Sequence, residues 1–128
     1  MGHAMMIFYL GYPLIYYGEE IFMTGGADPD NRKGMEWNSP NFSSEEHKLF
    51  KNLIKLREDD SLKDSDIQVY SENGLLIIKR KSEHGGLALV MNMTSSPITF
   101  LGNVVLKNKY NVNQEIEPQG FVVARIYR

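Results

Sequence analysis

Cysteine is absent from this 128-residue sequence, which excludes disulfides, thiolate metal sites and thiol nucleophiles together. Blocks of like charge are missing as well: fourteen basic residues stand against sixteen acidic ones, for a net charge of −2. No basic stripe is present to follow a phosphate backbone, so nucleic acid is not an expected partner. Long apolar runs are also lacking. The most apolar stretch, Met5 to Tyr17, is interrupted by Gly11 and Pro13 and closed by Glu19, whereas a membrane-spanning helix needs about 20 apolar residues. That stretch has neither the basic start nor the small-residue cleavage site of a secretory signal. The expected location is therefore the cytoplasm, with no membrane contact. What is present, 42% hydrophobic and 23% charged residues, is the composition of an ordinary globular chain with one modest core.

Three regions differ in pattern. In the first, Ile7-Phe8-Tyr9-Leu10 and Leu14-Ile15-Tyr16-Tyr17 are short apolar and aromatic runs bounded by Gly11, Pro13 and Gly18. Such a run predicts a strand buried on both faces, as in a parallel sheet. The turn formers Gly25-Gly26-Ala27-Asp28-Pro29-Asp30-Asn31 then predict a long irregular loop. In the second region, Ser43 and Glu46 have capping-box spacing. Leu49, Phe50, Leu53, Ile54 and Leu56 follow at helical spacing, so a helix is expected to end near Glu58, before Asp59-Asp60-Ser61. The third region, from about Asp66, alternates strands and turns. Asn73-Gly74 is suited to a type I′ hairpin between Ile67–Tyr70 and Leu75–Ile78. Further strands are expected at Leu87–Met91, Ile98–Leu101, Val104–Leu106 and Phe121–Tyr127, as an antiparallel sandwich or partial barrel.

A parallel-type strand needs neighbours on both edges, and no other segment of the sequence supplies them. This observation gains meaning from Gly11-Tyr12-Pro13-Leu14-Ile15-Tyr16-Tyr17-Gly18-Glu19-Glu20-Ile21, which resembles the eighth barrel strand of the α-amylase family. Gly25 to Arg32 with Met35-x-Trp37 is similar to the neopullulanase, cyclomaltodextrinase and maltogenic amylase branch of that family. Leu53-Ile54-Lys55-Leu56-Arg57 resembles its last barrel helix, and Ile116 to Phe121 the last strands of its C-terminal β-domain. Gly34 stands where the family usually has Pro, and Asn38 where an Asp commonly follows the Trp. The resemblance implies a mainly β chain: a C-terminal antiparallel Greek-key β-sandwich preceded by a strand–loop–helix remnant of a (β/α)8 barrel. Residues 1–60 would be the last β/α unit with its substrate-binding loop, and residues 61–128 the all-β domain.

By the same resemblance, Asp28 and Arg32 would bind a glucose unit of an α-1,4-linked glucan or maltooligosaccharide, with Trp37 a weaker stacking candidate. A carboxylate accepting from sugar hydroxyls and a guanidinium donating in a fixed fork suit that role. Read without the resemblance, the two are a turn Asp and a surface Arg, or a salt bridge. Tyr16 and Tyr17 are expected to line the core or the barrel. Retaining glycosidases need two carboxylates about 5–5.5 Å apart, which the family carries on its fourth and fifth barrel strands. His3, His47 and His84 lack the adjacent Asp of the seventh, and Glu19-Glu20, Glu45-Glu46 and Asp59-Asp60 point in divergent directions as sequence neighbours. No catalytic residue, cofactor or metal is therefore assigned, an EF-hand reading fails at Arg32 and Ser39, and the chain alone is expected to be inactive. The expected function is that of a C-terminal fragment of a retaining α-glucan-acting glycoside hydrolase. Two alternatives stand beside it: a stand-alone carbohydrate-binding module, with a platform of Tyr70, Phe100, Tyr110, Phe121 and Tyr127, and a self-associating structural domain. Apolar side chains left without a barrel predict a homo-oligomer through the residue 5–18 strand and the residue 44–58 helix.

Overall fold

The computed structural model describes residues 1–126. Its centre is strand β3 (Gly85–Asn92), whose residues from Gly86 onward are buried on both faces. Leu87, Leu89 and Met91 point to one side and Ala88 and Val90 to the other, each set joining a separate apolar cluster. The alternation is the period of two that every strand imposes. Among the described residues the strands form one antiparallel sheet: β1 (Asp66–Glu72), β2 (Leu75–Ser82), β3, β6 (Glu115–Ile126) and, along the start of β6, β4 (Ile98–Thr99). Strand β5 (Asn103–Tyr110) lies on the other edge of β6. Asn73 and Gly74, both with positive φ, make the tight turn that pairs Glu72 with Leu75.

The chain leaves β3, runs through β4 and β5, and brings β6 back beside β3. That return to an earlier strand is the Greek-key feature, and the mainly β, antiparallel architecture is the expected one. Strand β6 starts six residues earlier than the apolar run Phe121–Tyr127 predicts, and Tyr127 itself lies outside the described residues. A bulge between Val104 and Leu106 sets β5 two residues on for one residue of β6. The extra residue turns Val104 toward one cluster and Leu106 toward the other. Ile98, Phe100, Val104 and Tyr110 thereby cover Leu75, Ile77 and Val90, and the second face of the sheet is closed.

The first face is covered by helices. Helix α2 (Glu45–Lys55) buries Phe50 and Leu53, and a 3-10 turn continues it from Leu56 to Glu58, where the sequence predicts the end. Its N-cap is Ser44, not Ser43: the Ser44 hydroxyl accepts from the His47 N–H at 3.1 Å. The strand expected over residues 5–18 does not form. Residues Gly2–Phe8 are helix α1, and the chain from Tyr9 to Gly18 is irregular. The physical reason is the missing edge partner: with no strand to pair with, the backbone meets its donors locally, as in the bond from Tyr9 N–H to the Met5 carbonyl at 2.9 Å. Ala4, Ile7 and Phe8 recur at helical spacing and are each 1% exposed, in one cluster with Leu53, Leu87 and Leu89. The core is thus continuous across residue 60. No helix among the described residues is long and apolar enough to cross a membrane.

Candidate functional site

The loop that carries the candidate residues begins where Gly18, with φ +91°, turns the chain out of the Tyr16-Tyr17 pair. A 3-10 turn at Glu19–Ile21 follows, and Ile21 is 1% exposed. Helix α2 and the turn before it anchor this point through two side chains. His47 places Nδ1 2.7 Å from the Glu20 carbonyl, and Asn41 donates from Nδ2 to the Ile21 carbonyl at 2.8 Å. Asn41 therefore uses the amide that its Asn-x-Ser pattern would offer to glycosylation. Asn92, in the Asn-x-Thr pattern Asn92-Met93-Thr94, is fully buried and donates to the Ser96 and Ile116 carbonyls.

From Phe22 the chain is exposed. A second 3-10 turn, Asp30–Arg32, folds the loop back on itself, with Asp30 N–H donating to the Ala27 carbonyl and Arg32 N–H to that of Pro29. Gly25 sits against this turn. A Cβ there would lie 2.9 Å from the Asp30 carbonyl oxygen, so only glycine permits the approach. The structure brings Asp28 and Arg32 together: Arg32 Nη2 donates to Asp28 Oδ2 at 3.2 Å, with both side chains about two-thirds exposed. An exposed pair of this kind contributes roughly 0.2–1 kcal/mol, so a ligand with matching hydroxyls can compete for both partners. Trp37 stands apart from the pair. It is 76% exposed and stacks in parallel on Phe42, with ring centres 6.4 Å apart.

Tyr16 and Tyr17 differ from expectation. In this structure they lie outside the core, 50% and 42% exposed, with ring centres 4.7 Å apart. Their hydroxyls reach the loop instead, Tyr16 donating to the Asn31 carbonyl at 3.2 Å and Tyr17 to the Lys33 carbonyl at 2.7 Å. Partial desolvation, followed by Tyr17 and Asp28, holds the Tyr16 hydroxyl above its ordinary pKa. A cleft of about 180 Å³ lies between the two rings and Asp30, Asn31 and Lys33. Sequence spacing could not reveal this contact, because its acceptors are backbone carbonyls. Among the described residues no group of three metal-ligating side chains gathers.

The β-region offers no exposed aromatic platform among the described residues. Phe121 is 2% exposed, Phe100, Tyr70 and Tyr110 pack against the second cluster, and the exposed aromatic rings all precede residue 40. Tyr127 of the expected platform lies outside the described residues.

No protein-family model matches the chain. Comparison with curated proteins finds a maltogenic α-amylase of Bacillus acidopullulyticus, 29% identical over 91% of this chain and 22% of its own length. A cyclomaltodextrinase of Thermoanaerobacter pseudethanolicus is 30% identical over 88% of this chain and 20% of its own length. Among solved structures, the maltogenic amylase from S. marinus superposes with a TM-score of 0.80 at 28% identity, over 97% of this chain and 18% of that one. The chain spans about a fifth of the length of the curated relatives it matches. Neopullulanase and amylopullulanase sequences match as well. The chain is a relative of the C-terminal part of these α-amylase-family glycoside hydrolases.

Proposed function

We propose that these residues act as the C-terminal segment of a retaining α-glucan-acting glycoside hydrolase, in which Asp28 and Arg32 hold a glucose unit of an α-1,4-linked glucan or maltooligosaccharide. Residues 1–60 take the part of the last β/α unit with its substrate loop, and residues 61–128 that of the supporting β-domain. Trp37 adds an exposed ring at the far end of the loop. The observation that carries the reading is the exposed Asp28–Arg32 pair on a loop tied to the fold at Glu20 and Ile21, in a chain related to maltogenic amylase and cyclomaltodextrinase. Catalytic carboxylates are not assigned to any residue here, so the 128-residue chain is expected to release no reducing sugar from maltotriose or cyclodextrin. Titration with maltotriose, followed by amide chemical shifts, should report millimolar binding that moves residues 28–32. Asp28→Ala or Arg32→Ala should weaken it about tenfold, equivalent to ~1.4 kcal/mol. Equal binding by both variants and the parent chain would dismiss the assignment.

A second reading, self-association, is favoured by one specific feature. Tyr12 is fully exposed, Leu14 is 83% exposed, and Tyr9 and Leu10 are about half exposed. Apolar side chains in such a run find cover when another surface is available. In the residue 44–58 helix, Phe50 and Leu53 are buried while Ile54 is 41% exposed. The self-association we propose runs through residues 9–14, where the exposed apolar side chains are densest.

A further inference from the structure

Arg32 projects from a short turn, and the two carbonyls on either side of it, Asn31 and Lys33, are both acceptors from tyrosine hydroxyls. The two donors are adjacent in sequence, Tyr16 and Tyr17, with their rings tilted against each other at 42°. They stand directly before Gly18, whose neighbour turn is fastened at Glu20 by His47 of helix α2 and at Ile21 by Asn41 of the turn before it. The loop is therefore held at two places: at its base by α2 and the turn before it, and on both sides of Arg32 by the tyrosines. From Phe22 to Asn38 the segment contributes no fully buried side chain of its own, so apolar packing is a weak constraint on its path.

We propose that Tyr16 and Tyr17 are positioning residues, which fix the direction of Arg32 and its pairing with Asp28 by holding the carbonyls of Asn31 and Lys33. The proposal rests on the reading of Asp28 and Arg32 as the sugar contact. The tyrosines act through the loop and need not touch the sugar. Binding to a preset Arg32 avoids the cost of ordering the loop when the ligand arrives. A phenylalanine at either position keeps the ring and its stacking but removes the donor, which makes Tyr16→Phe and Tyr17→Phe the informative substitutions.

The test uses the full chain in two arms. In the first, without sugar, amide hydrogen exchange is followed at Asp30 and Arg32, whose N–H groups donate within the loop, with Leu89 of the central strand as internal reference. The Tyr16→Phe/Tyr17→Phe double variant should exchange at least threefold faster at Asp30 and Arg32, with Leu89 unchanged. In the second arm, maltotriose titration should show a severalfold higher Kd for the double variant. In an Arg32→Ala background the same two substitutions should add nothing, since a device acting through Arg32 has no effect once Arg32 is gone. Unchanged exchange at Asp30 and Arg32 overturns the proposal whatever the binding result. Faster exchange with unaltered binding also overturns it, because the loop would then be held without consequence for the sugar. Should the parent chain bind no maltotriose, the sugar-contact reading fails separately. The exchange arm then decides the holding of Arg32 on its own: faster exchange supports it, and unchanged exchange removes it.

Discussion

Arg80 is 3% exposed, and its guanidinium is spread over three segments of the chain. It donates to the Phe8 and Tyr9 carbonyls, to the Leu62 carbonyl and to the Ser65 hydroxyl, at 2.7–3.1 Å. Arg57 completes the arrangement by donating to the Ile7, Tyr9 and Gly11 carbonyls. Of these acceptors, the Ile7, Phe8 and Tyr9 carbonyls lie at the C-terminal end of α1, where the helix leaves carbonyls unpaired and its dipole favours positive charge. Burial, with a smaller contribution from nearby Arg57, lowers the Arg80 pKa, but a guanidinium stays charged at any working pH. Replacing Arg80 with Met takes its donors from the Phe8 and Leu62 carbonyls, while Tyr9 keeps Arg57, and the expected loss is about 3 kcal/mol in urea denaturation. Arg80→Lys, which keeps the charge but not the fork, should recover less than half of that loss. A charged pair ties the turn after α2 to the last strand: Arg125 Nη2 to Asp59 Oδ2 at 2.7 Å. The Arg125 hydrogen bond, opposed by burial and helped by the Ser61 N–H, holds the Asp59 carboxyl below its usual value. A carboxyl depressed in the folded state stabilises above its unfolded pKa of about 3.9 and ceases to do so as pH falls through the folded value. Stability should therefore be level from pH 7 to 5 in this respect and decline below about pH 4. Asp59→Asn should flatten that acid limb in pH-dependent thermal melts.

Helix α2 shows how one residue of register changes the energetics of an element. Ser43 and Ser44 are both good capping residues, and the pair Ser43–Glu46 has the spacing of a capping box. The 3-10 turn Pro40–Ser43 nonetheless delays the helix start by one residue, so Ser44 receives the His47 N–H and Ser43 is exposed. Ser44→Ala should cost about 1 kcal/mol and Ser43→Ala less than about 0.5 kcal/mol, a difference readable from denaturation midpoints. In strand β3 the comparable lever is Leu89, which is fully buried in the cluster shared with α1 and α2. Leu89→Ala should destabilise by ~2–5 kcal/mol through lost transfer energy and the cavity left behind. The effect should reach helix α1, since Ile7 and Phe8 share that cluster. Loss of far-ultraviolet helical signal together with the sheet transition would show that the two parts unfold as one unit.

The molecule as a whole is divided by what covers its apolar surface. Both faces of the sheet are closed, one by helices and one by the curled β4–β5 end. The segment from Tyr9 to Tyr17 is not closed in the same way, since it presents Tyr9, Leu10, Tyr12, Leu14, Tyr16 and Tyr17 to solvent. Burying a Leu or an aromatic side chain gives ~1.5–3 kcal/mol, so a few of them suffice for measurable association. Sedimentation at tens of micromolar should find dimers or larger species, and Tyr12→Ser with Leu14→Ser should shift the distribution to monomer. A parent chain that sediments as a clean monomer at that concentration would rule out association through residues 9–14.

The pattern of residues alone specified the β-region and helix α2. Asn73-Gly74 permits one kind of turn, Leu87 to Met91 is apolar on both faces, and Leu49, Phe50 and Leu53 repeat at helical spacing. These are local rules, and the fold obeys them. The motif from Gly11 to Ile21 likewise pointed to the right relatives, because side-chain identity survives whatever shape the backbone takes. Local rules could not settle whether residues 5–18 pair as a strand, since that depends on whether an edge partner exists, and here helix α1 forms instead. Nor could they disclose the side chains that bind backbone rather than one another. Arg57 and Arg80 on the α1 carbonyls, and Tyr16 and Tyr17 around Arg32, meet acceptors that every residue possesses. Their pairing is decided only when distant segments are brought within hydrogen-bond distance of each other.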